Sequence, residues 1–408
     1  MALRLRLFAG NVVFVVAAGL AGCSSPEGTP GPTGSSAVSG DEAGPGTQPP
    51  LSLVETLGGV DTAGYARATD PRSFVFPADH GPHEAFRTEW WYVTGNVTST
   101  DGRDFGFQWT VFRNALAPGS PGGPSAWATH QAYMGHFALT DVATGRFVAE
   151  ERFARGAAGL AGAEGEPLRV WIDDWQLEGS ESGAATFPLR LRAGGEGVSV
   201  DLTLAEGKPR VLQGDAGLSS KGPEPGNASY YYAHTRMPVS GRVVVDGEPL
   251  EVDGLAWLDR EWSTSALSEG LVGWDWFALQ LDDGWDLMIY QLRKQDGTAD
   301  VASDGVLIDP DGRRVPLAWG DDVFMDVTDT WSSSLDGTTY PSAWRIRVPA
   351  REWDVRVTPV VADQELRVSF RYWEGAVRVR GTGERGLEVA GRGYVELTGY
   401  SGSGAEGR

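Results

Sequence analysis

Lysine is nearly missing from this chain. Only Lys208, Lys221 and Lys294 occur in 408 residues, and arginine supplies the rest of the positive charge. The formal net charge is -21 with no basic stripe. That excludes a nucleic-acid binder, because neutralising phosphates requires a basic face. Cysteine is rarer still: Cys23 stands alone, so no disulfide can form within the chain. Helical periodicity never persists for three turns. No cofactor-binding motif is present, and none is expected to be needed. A G-x-S-x-G elbow is absent too, although a serine nucleophile can arise without one. Histidine spacing argues against a metal site. His130 and His136 lie six apart on an extended stretch, roughly 20 Å of strand. His80 and His83 are loop residues with no cysteine partner, whereas zinc sites show tighter signatures.

What is present favours strands. Hydrophobic residues make up 41%, enough for a real core, and there are 56 Gly, 24 Pro and 16 Trp. Much glycine and tryptophan with few helix formers suits short strands and tight turns. The length suits two domains. Asp101-Gly102, Asp246-Gly247, Asp283-Gly284 and Asp311-Gly312 supply hairpin turns, since Asp-Gly tolerates the positive φ of a tight reversal. Many strands at short intervals mean sandwiches or antiparallel barrels. A faint echo runs through the chain. EWWYVTGNVTSTDGRDFGFQWTVFR has an aromatic strand, an Asp-Gly turn and a strand ending in arginine, and WDWFALQLDDGWDLMIYQLR repeats that order from residue 274. The echo suggests two related β domains, with a boundary near residue 265.

The N-terminus has a layout of its own. Arg4 and Arg6 precede an apolar run from Leu7 to Ala21, and Leu20-Ala21-Gly22-Cys23 follows. This is a secretory signal peptide in layout, over residues 1–22. Its ending resembles a bacterial lipobox, which makes Cys23 the expected lipidation site. Residues 23–70 then form an anchored tether rich in Pro, Gly and Ser. The expectation is a monomer in the cell envelope, extracytoplasmic and lipid-anchored to a bacterial membrane.

Three stretches could carry chemistry. In LEVDGLAWLDREW, residues 250–262, strand alternation puts Asp259 on one face with Trp257 and Glu261. An acid beside indole loses water and its pKa rises, so Asp259 is a candidate proton donor. The alternative pairs Asp259 and Glu261 with arginines at a barrel rim. Tyr230, Tyr232 and His234 share a face and could position water or a substrate hydroxyl, or simply form a barrel wall. In EWWYVTGNV, Glu89, Trp91 and Val93 share one face, and Trp90, Tyr92 and Thr94 the other. Aromatics on both faces mean cover on both. Glu89 beside Trp91 could sit at a barrel mouth, or Glu89 could be bound to an arginine in an aromatic clasp. Trp274 and Trp276, from the second half of the echo, are further candidate pocket walls.

Taken in order, EWWYVTGNV, FGFQWTVFR, GHFALTD, YYYAHTRMPVSG, GLAWLDREWS, GWDWFALQLDDGWDLMIYQLR, RYWEGAVRVRG and GYVELTGY resemble the family of AttH-like and carotenoid 1,2-hydratase proteins. The resemblance runs from about residue 80 to residue 400 and implies an all-β fold of two antiparallel lipocalin-like β-barrel domains in tandem, placed at 71–265 and 266–401. It implies that Asp259 is the proton donor, with Trp257, Tyr230 and Tyr232 near the other functional positions. The hydratase branch is expected to carry a histidine and a tryptophan where this chain has Tyr230 and Tyr232.

Three functional readings follow. In the first, an enzyme protonates an isoprenoid-like alkene through Asp259, aromatic faces stabilise the cation, Tyr230, Tyr232 or His234 orients water, and Glu261 holds Arg260 or a second water. The second is a tethered, non-catalytic carrier that holds an apolar ligand in a barrel mouth. The third is a secreted hydrolase or glycan binder using Asp259 and Glu261, which alternate strand positions place at a separation suited to sugar chemistry. Burial of both carboxyls would count against the third.

Overall fold

The structure, a computed structural model, describes residues 62–180, 186–265 and 267–400. The leader, Cys23 and most of the tether lie outside these residues. No α-helix occurs among the described residues, only three short 3-10 turns. The first sheet contains β1 (Thr88–Ser99), β2 (Asp104–Ala115), β3 (Gln131–Asp141), β4 (Arg146–Arg155), β5 (Ala161–Gly165), β6 (Leu168–Ile172), β7 (Trp175–Glu178), β8 (Leu189–Gly195), β9 (Val198–Leu204), β10 (Val211–Leu212), β11 (Leu218–Ser220), β12 (Ala228–Val245) and β13 (Glu248–Ser263). The second contains β14 (Leu271–Leu281), β15 (Asp286–Lys294), β16 (Asp304–Ile308), β17 (Arg314–Ala318), β18 (Phe324–Ser332), β19 (Thr339–Val348), β20 (Trp353–Pro359), β21 (Glu365–Arg367), β22 (Arg371–Thr382) and β23 (Glu388–Leu397).

The spatial order is β4-β3-β2-β1-β13-β12-β9-β8-β7-β6-β5 in the first sheet, which nearly closes into a barrel. It is β17-β16-β15-β14-β23-β22-β20-β19-β18 in the second, a half-barrel. The fold is two antiparallel β-barrels in tandem, as the strand pattern and the resemblance imply.

The internal echo is structural. β1–β2 and β14–β15 are equivalent hairpins, each with a buried acid bound to the closing arginine. Glu89 pairs with Arg113 in the first, and Asp275 with Arg293 in the second, at 2.5 Å. Each acid precedes a tryptophan, Trp90 and Trp276, that points away from its own barrel core.

Alternation sorts the aromatics. Trp91, Phe107, Trp109, Phe137 and Trp175 fill the first barrel. Phe277, Trp344, Trp353 and Trp373 fill the second. Tyr92, Tyr231, Trp257, Trp276 and Tyr290 form a third cluster, between the barrels. The two-faced aromatic strand β1 is thus explained: one face packs its own barrel, and the other packs the neighbouring one.

Two devices hold the barrels together. Gly106 on β2 lies so near β22 that an added Cβ would meet Ala376 Cβ at 2.5 Å, so only glycine permits that approach. Elsewhere, Asp286 of β15 is fully buried and binds Lys208 Nζ at 2.9 Å, Thr235 Oγ1 at 2.8 Å and Arg236 Nε at 2.9 Å. Thr235 and Arg236 reach it from a bulge in β12, where pairing shifts between His234↔Leu258 and Met237↔Ala256.

Candidate active site

The long β12–β13 hairpin brings the chemistry together. Its turn is Asp246-Gly247, with φ of 50° and 85°, the two positive values that a type I′ turn requires. From the turn, the register runs to the bulge at Thr235 and Arg236 and there slips by one residue. A one-residue slip exchanges the faces of a strand. Beyond it, Ala233 stands opposite Asp259 and Tyr231 opposite Glu261. Had the turn register continued, His234 and Tyr232 would have held those places.

Asp259 is 4% exposed. Trp257 Nε1 donates to its Oδ1 at 2.7 Å, and Tyr231 Oη donates to its Oδ2 at 2.7 Å. Trp276 Nε1 in turn donates to the Tyr231 oxygen at 3.4 Å. Burial drives the Asp259 carboxyl up to about 8. The two donors pull the other way without overcoming it, and the nearby Glu261 and Glu396 push it further up. At neutral pH, Asp259 is therefore a carboxylic acid. Each oxygen already accepts a hydrogen bond, so its own hydrogen is free for a guest.

That guest site is a cavity of about 120 Å³ between the barrels. β1 and β2 contribute Trp90, Tyr92 and Phe112, and β14 and β15 contribute Trp274, Trp276, Tyr290 and Leu292. Besides Asp259, its polar lining includes Tyr231, Glu261, Lys221 and Glu396, with the hydroxyls of Thr88, Ser263 and Ser265. Glu261 accepts from Lys221 Nζ at 3.1 Å and from Ser229 Oγ. Glu396 is pushed up to about 7, first by burial and then by Glu261, while the Trp274 indole beside it acts to lower it.

The structure sorts the sequence candidates by face. Asp259, Trp257, Glu261, Trp274 and Trp276 come together at the cavity. Tyr230, Tyr232, His234, Glu89 and Trp91 do not. Tyr230 turns away to donate to the Asp70 carbonyl at 2.9 Å. Tyr232 Oη meets His80 Nδ1 at 2.6 Å. His234 is buried against His80 and Phe187, and burial holds it down to about 3. The β12 bulge gives their place to Tyr231.

Glu89 faces inward with Trp91, opposite the cavity face of β1. Arg113 and Arg260 clamp it, the backbone N–H of His83 donates to it at 3.1 Å, and those cations hold its carboxyl far below the usual range against the cost of burial. Arg260 also lies 3.9 Å over the Trp91 ring. Arg260 thus serves Glu89, and Lys221 takes the place at Glu261 that sequence reading gave to Arg260. The barrel lumens expected to hold a ligand are packed with side chains.

Tyr231, Trp90, Tyr92, Lys221 and Glu396 line the cavity and were not among the sequence candidates. Trp90 and Tyr92 were legible as the second face of β1. The others required the bulge and the pairing of two barrels far apart in the sequence.

The model of the AttH-like family matches residues 67–400. A solved AttH structure from Nitrosomonas europaea is 37% identical, covers 82% of this chain and 99% of its own, and superposes with a TM-score of 0.72. Kievitone hydratase from Nectria haematococca is 16% identical over 82% of this chain and 96% of its own, with a TM-score of 0.63. CghA is 13% identical over 83% and 96%, with a TM-score of 0.52. These last two show a common fold and no more. No protein of curated function matches the sequence. A match spanning the whole of both barrels settles the kinship: this chain belongs to the AttH-like family.

Proposed function

We propose that the protein adds water across a carbon–carbon double bond of a hydrophobic, isoprenoid-like small molecule held between the barrels. The observation that carries this reading is a neutral carboxylic acid, Asp259, presented to an aromatic cavity. Protonation of an alkene needs a strong donor and an environment that tolerates the resulting cation. Trp257 and Tyr231 fix the acid while leaving its hydrogen to the guest. Trp90 and Trp276 offer ring faces, each able to stabilise a desolvated cation by about 2 kcal/mol. Water then attacks the cation and gives up a proton. A neighbour in fold is named a hydratase, which fits this chemistry.

The rival readings have less support. Side chains fill the barrel cores, so the carrier reading gains less from them than hydration gains from the acid-lined cavity. Burial of both Asp259 and Glu261, with Glu261 bound to Lys221, counts against sugar hydrolysis. The pattern ending at Cys23 supports a lipid-anchored, extracytoplasmic protein, and radiolabelled palmitate incorporation that disappears in Cys23→Ala is the test of that part.

For the chemistry, a panel of acyclic terpenoid alkenes is incubated in heavy water, and deuterium is sought at carbon. Asp259→Asn is expected to lower turnover by about 10²–10⁴-fold, the usual worth of a general acid. Tryptophan quenching by the same alkenes should persist. Normal turnover in Asp259→Asn excludes the role assigned to Asp259.

A further inference from the structure

Glu396 has a second acidic neighbour. Glu374 on β22 stands directly opposite it across the sheet, which places their Cβ atoms about 4.5–5.5 Å apart. Glu374 is fully buried and lies behind the cavity wall. The Tyr92 and Tyr372 hydroxyls stand beside it, but neither carboxyl oxygen makes a hydrogen bond of good geometry.

From Tyr372 a chain leads outward. Tyr372 Oη lies 2.7 Å from His136 Nδ1, and His136 Nε2 lies 3.1 Å from Glu151 Oε1. Glu151 belongs to β4 at the surface of the first barrel, and its side chain is 11% exposed. Its other oxygen accepts from the Ser369 backbone N–H at 3.2 Å. Phe112 and Phe370 rings pack the remaining sides of His136.

The donor order in this chain is fixed by elimination. Hydrogen bonds from His136 and Ser369 hold Glu151 below its ordinary value despite its burial, so it is ionised and can only accept. His136 must therefore carry its hydrogen on Nε2 and present a bare Nδ1. Tyr372 has one hydrogen, and it goes to that nitrogen. The Tyr372 oxygen can then only accept from the interior, where Glu374 is the group able to donate. Burial and the adjacent Glu396 keep Glu374 protonated, as a donor requires. Both hydrogen bonds, Tyr372 to His136 and His136 to Glu151, thus point toward solvent, and Glu374 stands beside Tyr372 at their inner end.

We propose that Glu396 takes the proton released by the attacking water, and that Glu374, Tyr372, His136 and Glu151 form a relay that exchanges it with solvent. The assignment of Glu396 rests on the hydration reading; the relay does not. The step balances. Asp259 gives its proton to one alkene carbon, the water oxygen bonds to the other, and the released proton goes to the Glu396 carboxylate. Glu396 then loses a proton and Asp259 regains one, so the sum is alkene plus water to alcohol. With an apolar guest filling the cavity, a path through the protein lets Glu396 discharge before product leaves.

Rapid mixing into heavy water tests the relay without any substrate. The infrared carbonyl band of Glu374, identified by its loss in Glu374→Gln, shifts when its hydrogen exchanges. Glu396→Gln removes the carboxyl on the cavity side. In that background, Tyr372→Phe is expected to slow exchange tenfold or more. Glu151→Gln, at the outer end of the chain and still able to accept from His136, is expected to slow it as well. Unchanged exchange in both variants overturns the relay. Failure of the wild type to hydrate any alkene of the panel, with no deuterium at carbon, would sink the hydration reading while leaving the exchange result standing, so the two failures are distinguishable.

Discussion

Replacing Asp259 with asparagine should change how stability depends on pH, whatever the substrate. In the folded chain this carboxyl titrates at about 8, against 3.8 for an ordinary aspartate. The folded state thus holds its proton more tightly than the unfolded state. The stabilisation is complete in acid, below the unfolded value, and is lost as pH rises through the folded one. Each pH unit between those values costs about 1.4 kcal/mol. The whole interval is worth about 6 kcal/mol, an upper figure because a buried site relaxes on ionisation. From pH 6 to pH 9 the wild type should lose about 3 kcal/mol on this account.

Asparagine keeps the shape, accepts from Trp257 and never ionises. Urea unfolding at pH 6, 7.5 and 9 is the assay. The stability difference between variant and wild type should move in favour of asparagine by about 3 kcal/mol across that range. Glu396 and Asp275 also titrate high, at about 7 and about 6, but they are present in both proteins and largely cancel. A difference that stays flat with pH means that Asp259 is ionised throughout, and the proton-donor argument fails with it.

Tyr231→Phe removes a hydrogen bond that lowers the Asp259 pKa. The alkaline limb of the same stability curve should move up by about one unit, the worth of a hydrogen bond to a charged group; a downward shift contradicts the assigned geometry. Glu89→Gln leaves the buried guanidiniums of Arg113 and Arg260 facing a neutral amide. Stability should fall by about 3–5 kcal/mol in chemical denaturation, and a loss below about 1 kcal/mol would show that the clamp behaves as an exposed ion pair rather than a buried one.

Much of this was written in the sequence. Trp257, Asp259 and Glu261 share a face because strands alternate, and that alone offered Asp259 as a candidate neutral acid, although burial and not the indole raises its pKa. The hairpin echo drew Trp274 and Trp276 in as candidate pocket walls, and alternation put Trp90 on the second face of β1. What alternation could not give was the phase of β12 relative to β13. Tyr230, Tyr232 and His234 do share a face, but Thr235 and Arg236 form a bulge that turns it away from Asp259. No turn residue marks that bulge, because what it contacts is Asp286, some fifty residues downstream in the other barrel. Glu396 escaped for a related reason. GYVELTGY reads as an ordinary strand, and the glutamate gains meaning only when β23 is set against β14 and β22.

The acidity of Asp259 is consequently a property of two barrels rather than of one. The first barrel supplies the carboxyl, its two donors and the Lys221–Glu261 pair. The second supplies Trp276, which backs Tyr231, and Trp274, Tyr290 and Glu396, which close the cavity. Burial is the largest cause of the raised pKa, and the second barrel walls one side of the cavity that Asp259 faces. The bulge serves both ends of the arrangement: its Thr235 and Arg236 side chains bind Asp286 across the interface, and its one-residue slip sets Tyr231 against Asp259. Docking the barrels and positioning the acid are one structural event, so substitutions that loosen the Asp286 cluster should return Asp259 toward an ordinary carboxylate without touching the cavity.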